Sequence, residues 1–266
     1  YMSRFGITVK EFDALNDHVL ELLRGGPMSQ GELTKQLLPR AGRKMQRYMK
    51  VAWSIQLFRP ALVEGFICYA AQRGSEATYV RVDQWLPKMK SVPELEAKKE
   101  LVRQYLTAYG PATPQDFSRW AGIPMREVRE AWEPLRDELV EVSVGEKQNS
   151  MLRKDLNGIS KIKLRVPVLR LLPSFDPYML GHEAKNHLIE DRQYKRVYRN
   201  QGWLSPVVLL NGKVIGIWSH KRRGEGLVLD ITPFQKFSQT IRAKVEQEAA
   251  SLGKFLETIC RIRYGR

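Results

Sequence analysis

Asp176 is the side chain whose setting most suggests a fixed polar contact. It lies between Pro173 and Pro177. Because proline disfavours helix and regular sheet pairing, we predict a rigid loop here. The residue before a proline is restricted to extended backbone, so the loop also fixes the direction of the carboxylate. Asp176 could cap the start of a helix near Tyr178, or it could contact a ligand or a nucleic acid. Asp176 and Tyr178 are the candidate site residues of this loop.

Three groups of polar and basic residues could bind phosphates or base edges. Arginine suits guanine or phosphate, and glutamine suits adenine or phosphate. The first group begins a predicted helix and comprises Arg43, Lys44, Gln46 and Arg47. The second is a basic stretch that runs from Lys185 and is interleaved with Tyr194 and Tyr198; its candidate contacts are Lys195, Arg196 and Arg199. The third occupies the tip of a predicted turn and comprises Lys221, Arg222 and Arg223. For each group a solvated charged face is the alternative interpretation.

The charge balance favours a polyanionic partner. The chain has 44 Lys and Arg against 29 Asp and Glu, a net charge of +15. Such an excess is typical of nucleic-acid-binding proteins, although a merely basic housekeeping protein would share it. We expect the partner to be double-stranded DNA, possibly damaged. No stretch has the 18 or more apolar residues of a membrane span, and no signal peptide is recognisable, so we expect a cytoplasmic location and no membrane partner. We further expect the protein to be associated with the nucleoid and to be a monomer.

The cysteines and histidines predict neither a metal site nor a cofactor. The two cysteines, Cys68 and Cys260, form no CxxC motif and no Cys/His cluster, so we expect buried free thiols.

The first candidate group requires a helix to position it. Apolar spacing predicts a helix from Thr8 to Arg24, and the S-x-x-E pattern of Ser29 and Glu32 predicts a capping box for a second, short helix. A third helix starts at Arg43, continues to Leu62 and bends near Pro60. An alternating hairpin follows, with strands over residues 66–72 and 78–82. Three helices and a two-stranded wing predict a winged helix.

The segment after Pro87 repeats this order of signals. Gly26-Pro27 and the cap at Ser29 recur as Gly110-Pro111 and a cap at Thr113, and a second hairpin is predicted over residues 139–144 and 150–154. We therefore predict tandem winged-helix domains over residues 1–87 and 88–160. In a helix-turn-helix the following helix enters the major groove, so the first copy, with its donors from Arg43 onward, is the better candidate for DNA contact.

Residues 161–266 predict a C-terminal α+β domain with a basic hairpin. A strand is expected from Leu164 to Leu172, and Asn211-Gly212 is a strong signal for a two-residue hairpin turn. A further strand over residues 227–231 and a long helix from Pro233 to Glu257 complete the domain, with the helix covering the sheet. The fold class is α+β: tandem winged helices followed by a mixed α/β domain with a β-hairpin sheet.

Several motifs together resemble the winged-helix DNA-binding family that includes the bacterial DNA glycosylases for bulky alkyl lesions and interstrand crosslinks. The motifs are Leu171-Leu172-Pro173-Ser174-Phe175-Asp176-Pro177-Tyr178-Met179-Leu180-Gly181, Gly202-Trp203-Leu204-Ser205-Pro206-Val207-Val208, Asn211-Gly212-Lys213-Val214-Ile215-Gly216-Ile217-Trp218, and Tyr109-Gly110-Pro111-Ala112-Thr113 with Trp120. The resemblance implies tandem winged helices around a DNA-binding channel and hydrolysis of the glycosidic bond of an N-alkylated purine, with no metal or organic cofactor.

One feature of the glycosylases in that family is missing from this sequence. Their Gln-x-Gln or Gln-x-Asp motif, which positions the attacking water, belongs to a first winged helix ahead of the matched part. None of the glutamines here is followed two residues later by Gln or Asp. Three interpretations follow: a glycosylase completed by a preceding N-terminal domain, a non-catalytic DNA-binding protein or regulator, and a protein-interaction scaffold. Asp176 is the candidate acid if the chain is catalytic by itself.

Overall fold

The computed structural model describes residues 6–51, 54–74, 76–88, 90–163 and 166–265. The chain divides into two compact units, Tyr1–Ser91 and Val92–Arg266. None of the helices in the described ranges is long and apolar enough to cross a lipid bilayer. The same ranges contain no group of three or more His, Cys, Asp and Glu side chains that could hold a metal ion.

The first unit packs helices against a small sheet. Its helices are α1 Val9–Leu22, α2 Gln30–Leu37, α3 Arg43–Val51, α4 Ser54–Val63 and α5 Val82–Trp85. Its strands are β1 Met28–Ser29, β2 Ile67–Arg73 and β3 Glu76–Arg81, in the order β1-β3-β2 with antiparallel pairing. The core joins α1, α2, α4 and β3 through side chains such as Phe12, Leu33, Phe58 and Tyr79.

Local sequence signals set the helix starts of this unit. Thr8 and Glu11 form a capping box before α1, and Ser29 and Glu32 form the predicted one before α2. The single helix expected from Arg43 to Leu62 is described as α3 and α4, and residues 52 and 53 between them lie outside the described residues. Pro60, where a bend was expected, lies inside α4.

The second unit begins with a helical part and a hairpin. The helices are α6 Glu94–Tyr109, α7 Pro114–Ala121, α8 Met125–Trp132 and α9 Leu156–Lys161, and the strands are β4 Leu139–Val144 and β5 Lys147–Leu152. Thr113 and Asp116 make the capping box of α7. An isolated bridge between Ala112 and Ser150 ties the turn before α7 to β5. Helices α6, α7 and α8 enclose a core that contains Tyr105, Phe117 and Trp132.

The rest of this unit is a five-stranded sheet covered by a helix. The strands are β6 Leu169–Leu172, β7 Val207–Leu210, β8 Lys213–Arg223, β9 Gly226–Pro233 and β10 Cys260–Tyr264, and the helices are α10 Pro177–Leu180, α11 Asp191–Val197 and α12 Gln239–Phe255. The order is β10-β9-β8-β7-β6. Val245 and Ala249 of α12 share one core with sheet residues. Asn211 and Gly212, at φ 49° and 83°, make the predicted hairpin turn between β7 and β8.

Two element predictions for this region are corrected, and one further strand is added. The strand expected from Leu164 begins at Leu169; residues 164 and 165 lie outside the described residues, and Pro167, which has no N–H, accounts for the late start. The helix expected from Pro233 begins at Gln239, because Pro233 still belongs to β9 and Ser238 caps α12. The strand β10, which pairs parallel to β9, was not predicted.

Candidate nucleic-acid interface

The start of α3 presents exposed cations in the first unit. Arg43, Lys44 and Arg47 are exposed, and Arg43 and Arg47, four residues apart, lie on the same face of the helix. The Nζ of Lys44 lies 3.5 Å from the carbonyl oxygen of Gly6. In the described part of the chain none of the three forms an ion pair with a carboxylate. These side chains are therefore available to an anionic ligand.

Gln46 differs from its three neighbours. Its Nε2 donates hydrogen bonds to the carbonyl oxygens of Leu38 at 3.1 Å and Ala41 at 2.9 Å. Both carbonyls belong to the turn that ends α2, so the amide ties that turn to α3. The amide donors of Gln46, which were expected to meet adenine or phosphate, are therefore engaged inside the protein, and its contact with DNA stays a prediction.

In the loop from Pro173 to Tyr178, Asp176 caps the start of a helix, which is one of its two predicted roles. Oδ1 of Asp176 accepts a 2.9 Å hydrogen bond from the backbone N–H of Tyr178, as an N-cap of α10. The hydroxyl of Tyr178 donates to the carbonyl oxygen of Gly212 at 3.2 Å, which joins the loop to the β7–β8 turn. In the described residues no hydrogen bond reaches Oδ2 of Asp176, so a contact with a ligand is still open to it.

The cations of the second basic group lie on helix α11 and the turn after it, and they differ in their contacts with the rest of the protein. Lys195 and Arg199 are exposed and have no ion-pair partner in the part of the chain that the structure describes. Arg196 instead stacks over the ring of Phe234 at 4.6 Å and donates to Oε1 of Gln193 at 3.0 Å. Lys195 and Arg199 are thus the freer cations, whereas Arg196 also supports the local packing.

Lys185, expected in the exposed basic stretch, is half-buried. Its Nζ lies 5.5 Å from the centre of the Tyr198 ring and donates to the carbonyl oxygen of His182. Burial lowers the pKa of Lys185 because it disfavours the charged amine, and the neighbouring Asp116 and Glu183 partly oppose that change. The amine of Lys185 therefore contacts groups of the protein itself and is not a fully exposed surface cation.

The third basic group lies on strand β8 and not on a turn. Lys221, Arg222 and Arg223 pair with Val228, Leu227 and Gly226 of β9, and the turn follows at Gly224 and Glu225. The burial of β8 alternates as far as Trp218 and then gives way to five exposed residues. The hairpin thus extends past the covered part of β8, and its cations are exposed on a paired strand, which corrects their predicted position.

A cleft of about 1050 Å³ lies within the second unit. Its walls come from the turn before α7, the β4–β5 turn, and the loop after α10. The lining includes Tyr109, Asp116, Lys147, Asn149, Tyr178, His182, Asn186 and His187. Apart from Tyr178, these residues were not predicted from the sequence as site residues. The Thr-x-x-Asp capping box was a signal for Asp116, but nothing local indicates which distant loop it contacts.

The titratable groups of the cleft depend on one another. Burial raises the pKa of Asp116, but hydrogen bonds from Thr113 and Glu183 and the nearby His182 outweigh it, so the pKa is lowered overall. The rings of His182 and His187 meet edge to face at 4.8 Å. Burial, followed by the charges of His182 and Lys185, lowers the pKa of His187, so the neutral imidazole is favoured.

The two cysteines are half-buried, where buried thiols were expected. Burial raises the pKa of both the Cys68 and the Cys260 thiol, which disfavours the reactive thiolate. No chemistry is indicated at either position.

Comparison with known proteins agrees with the resemblance drawn from the motifs. A family model described as DNA glycosylase AlkZ-like matches residues 2–255. The interstrand DNA cross-link repair glycosylase of Streptomyces sahachiroi is 28% identical over 256 residues, which cover 94% of this chain and 67% of the relative. The solved structure of the Streptomyces sahachiroi DNA glycosylase AlkZ matches with a TM-score of 0.79 and 27% identity, over 99% of this chain and 72% of that one. Because the family model spans nearly all 266 residues, the chain belongs to the DNA glycosylase AlkZ-like family.

Proposed function

We propose that this protein binds double-stranded DNA and acts in base excision repair, as a glycosylase that hydrolyses the N-glycosidic bond of bulky N-alkylated or crosslinked purines. The observation that carries the proposal is the family match over residues 2–255, together with a relative named as an interstrand cross-link repair glycosylase. No cofactor is required for such a hydrolysis, in which water is the nucleophile.

The distribution of cations supports a duplex as the partner. Many basic residues elsewhere are neutralised within the protein, as Arg103 is by Glu138 at 2.7 Å. The proposed contact set lacks such pairs in the described part of the chain. We propose that DNA contacts come from Arg43, Lys44, Arg47, Lys195, Arg199, Lys221, Arg222 and Arg223, with smaller contributions from Gln46 and Arg196. Phosphates that meet these side chains release counterions, which drives association.

The order of elements supports tandem winged helices. In the first unit α1, α2, α3 and α4 precede the hairpin β2–β3, and in the second α6, α7 and α8 precede the hairpin β4–β5. The helix that follows each capped helix is the one that would approach a groove. On this proposal the domains are 1–87, 88–160 and 161–266, and the protein works as a monomer in the cytoplasm, close to the nucleoid.

The proposed hydrolysis requires a group that activates water. A general base must have an oxygen free to orient or deprotonate the water. Both oxygens of Asp116 accept hydrogen bonds, whereas Asp176 engages only Oδ1 among the described residues. Asp176 is thus the carboxylate to test within this chain. The alternative function, a non-catalytic DNA-binding protein or regulator, rests on the missing Gln-x-Gln and Gln-x-Asp patterns.

The test combines binding with single-turnover base release on two paired duplexes, one undamaged and one with an N7-alkylated guanine, at two salt concentrations. Salt-sensitive binding with base release supports the glycosylase, and Asp176→Asn then asks whether this carboxylate takes part. Binding without release supports the non-catalytic alternative or a catalytic group supplied by a further domain. Absence of binding at both salt concentrations overturns the DNA proposal and leaves a protein-interaction scaffold.

A further inference from the structure

We propose that Phe175 and Trp203 form an aromatic platform for an unstacked nucleobase of DNA, with Lys195 and Arg199 binding the adjoining phosphates. The proposal rests on the proposed DNA-binding function and adds a base-contacting site to it. The two rings meet edge to face, with 5.2 Å between their centres. Nevertheless 44% of Phe175 and 51% of Trp203 stay exposed. Two large aromatic side chains thus share one contact and leave much of their surface open to a further ring.

The backbone holds Phe175 in an unfavourable conformation. Its φ is 59°, in the left-handed region that a bulky non-glycine residue rarely adopts. The surrounding loop is fixed on its C-terminal side, where Asp176 caps α10 and Met179 is fully buried. Such strain persists only where the neighbouring structure enforces it, and it clusters at ligand-contacting sites.

A tight turn presents Trp203 in a similar way. Gln201 has φ 59°, and the N–H of Arg199 donates to the carbonyl oxygen of Trp203 at 2.8 Å, which closes the turn. On either side of the turn the chain is anchored by Val197 and Leu204, at 0% and 1% exposure. Trp203 is therefore an exposed indole on a short turn that is held firmly at both ends.

The residues that line the cleft beside the platform indicate which class of ligand would bind there. Its volume is about 650 Å³, and it is lined by Lys195, Arg199, Asn200, Gln201 and Trp203. Neither cation forms an ion pair in the described residues, whereas nearby Arg192 is paired with Glu190 at 2.6 Å. Two unpaired cations beside an exposed indole match a nucleotide, because they combine a phosphate contact with a stacking surface. A purely apolar partner would leave both charges unmatched.

The test compares two duplexes that differ only in one unpaired thymine. Wild type, Trp203→Ala and Phe175→Ala are titrated with a fully paired duplex and with the same duplex carrying a single-thymine bulge, and binding is followed by fluorescence anisotropy. We expect both substitutions to weaken binding to the bulged duplex by about tenfold and binding to the paired duplex by no more than about twofold. Trp203→Tyr, which keeps a stacking ring, restores most of the affinity.

Matched controls come from exposed aromatic residues outside the platform. Trp85→Ala and Phe255→Ala remove residues that are 55% and 82% exposed, and neither substitution should change the preference between the two duplexes. A second readout uses Trp203 itself: its emission, obtained as the difference between wild type and Trp203→Phe, should be quenched by the bulged duplex and not by the paired one.

The outcomes separate this inference from the proposed function. If wild type binds both duplexes and Trp203→Ala weakens both equally or neither, the platform is overturned and DNA binding stands. If wild type binds neither duplex, the proposed function fails and the platform falls with it. Selective loss on the bulged duplex, with quenching, supports the platform.

Discussion

The backbone N–H of Glu183 donates a 2.8 Å hydrogen bond to Oδ1 of Asp116, which joins the acidic residue of the α7 capping box to the loop that follows α10. The other oxygen, Oδ2, accepts from the N–H and the hydroxyl of Thr113 at 2.9 and 2.7 Å. Asp116 is only 8% exposed. One carboxylate thus starts a helix and also fixes a wall of the large cleft in the second unit.

We expect Asp116→Asn to destabilise the fold. In the variant an NH₂ group takes the place of one acceptor oxygen and faces a backbone N–H, so a buried donor is left without a partner. The free energy of unfolding should fall by about 1–3 kcal/mol, as measured by urea denaturation. Asp137→Asn changes an exposed aspartate and should have almost no effect. Equal losses for the two variants would contradict this role of Asp116.

The same carboxylate should shape the acid side of the stability profile. The pKa of Asp116 in the folded protein is lowered from its ordinary value of 3.8, so the folded state favours the charged form. Its stabilising contribution is complete above that ordinary value and is lost as the pH falls through the lower folded-state pKa. Wild type should therefore lose stability below about pH 4 more steeply than Asp116→Asn does. Parallel profiles of unfolding free energy against pH for wild type and Asp116→Asn would contradict this contribution of Asp116.

Gly181 has no room for a side chain unless its surroundings move. A Cβ placed there would lie 2.3 Å from Cδ1 of Tyr109, inside the ring contacts of α6. The ring or the loop must move, so Gly181→Ala should lower the free energy of unfolding by about 1–3 kcal/mol. Gly158→Ala is the matched control, because Gly158 lies in α9 and a Cβ there meets nothing within 4 Å. Thermal or urea unfolding of both variants checks the difference.

Local chemistry explains how much of the fold was predictable. The capping boxes at Ser29 and Thr113 and the turn at Asn211-Gly212 need only nearby residues, and the structure has all three. Strand β10 depends on a partner: its short alternating run becomes a strand because β9 offers a free parallel edge. Pairing with β9 likewise carries β8 through the cations at 221–223, where charge alone suggested a turn.

The candidate site was predictable in its charges but less so in its contacts. Exposure of Arg43 and Arg47 follows from their place at the start of an amphipathic helix. The contact between Asp116 and Glu183 joins residues 67 positions apart, and no local pattern encodes it. Gln46 shows the same limit, since its two acceptors become accessible only when the turn after α2 folds against α3.

Gln46→Ala should therefore affect stability and not base preference. Loss of its two hydrogen bonds leaves the carbonyl oxygens of Leu38 and Ala41 with weaker partners, and the free energy of unfolding should fall by about 1 kcal/mol. Gln36→Ala, at an exposed position of α2, should be close to neutral. Titration of both variants with duplexes that differ in sequence checks base preference, and a change confined to Gln46→Ala would restore the original expectation of base contact.

Removal of the unpaired cations should change the salt dependence of DNA binding. Each phosphate contact contributes about 0.9 to the slope of log affinity against log salt concentration, because counterions are released. Arg43→Ala, Arg47→Ala and Arg199→Ala should each reduce the slope by about that amount. Arg126→Ala is the control: its side chain is 88% exposed, but it is paired with Glu130 at 3.1 Å, so its loss should leave the slope unchanged. A uniform loss of affinity without any change in slope would mean that these cations act through folding and not through phosphates.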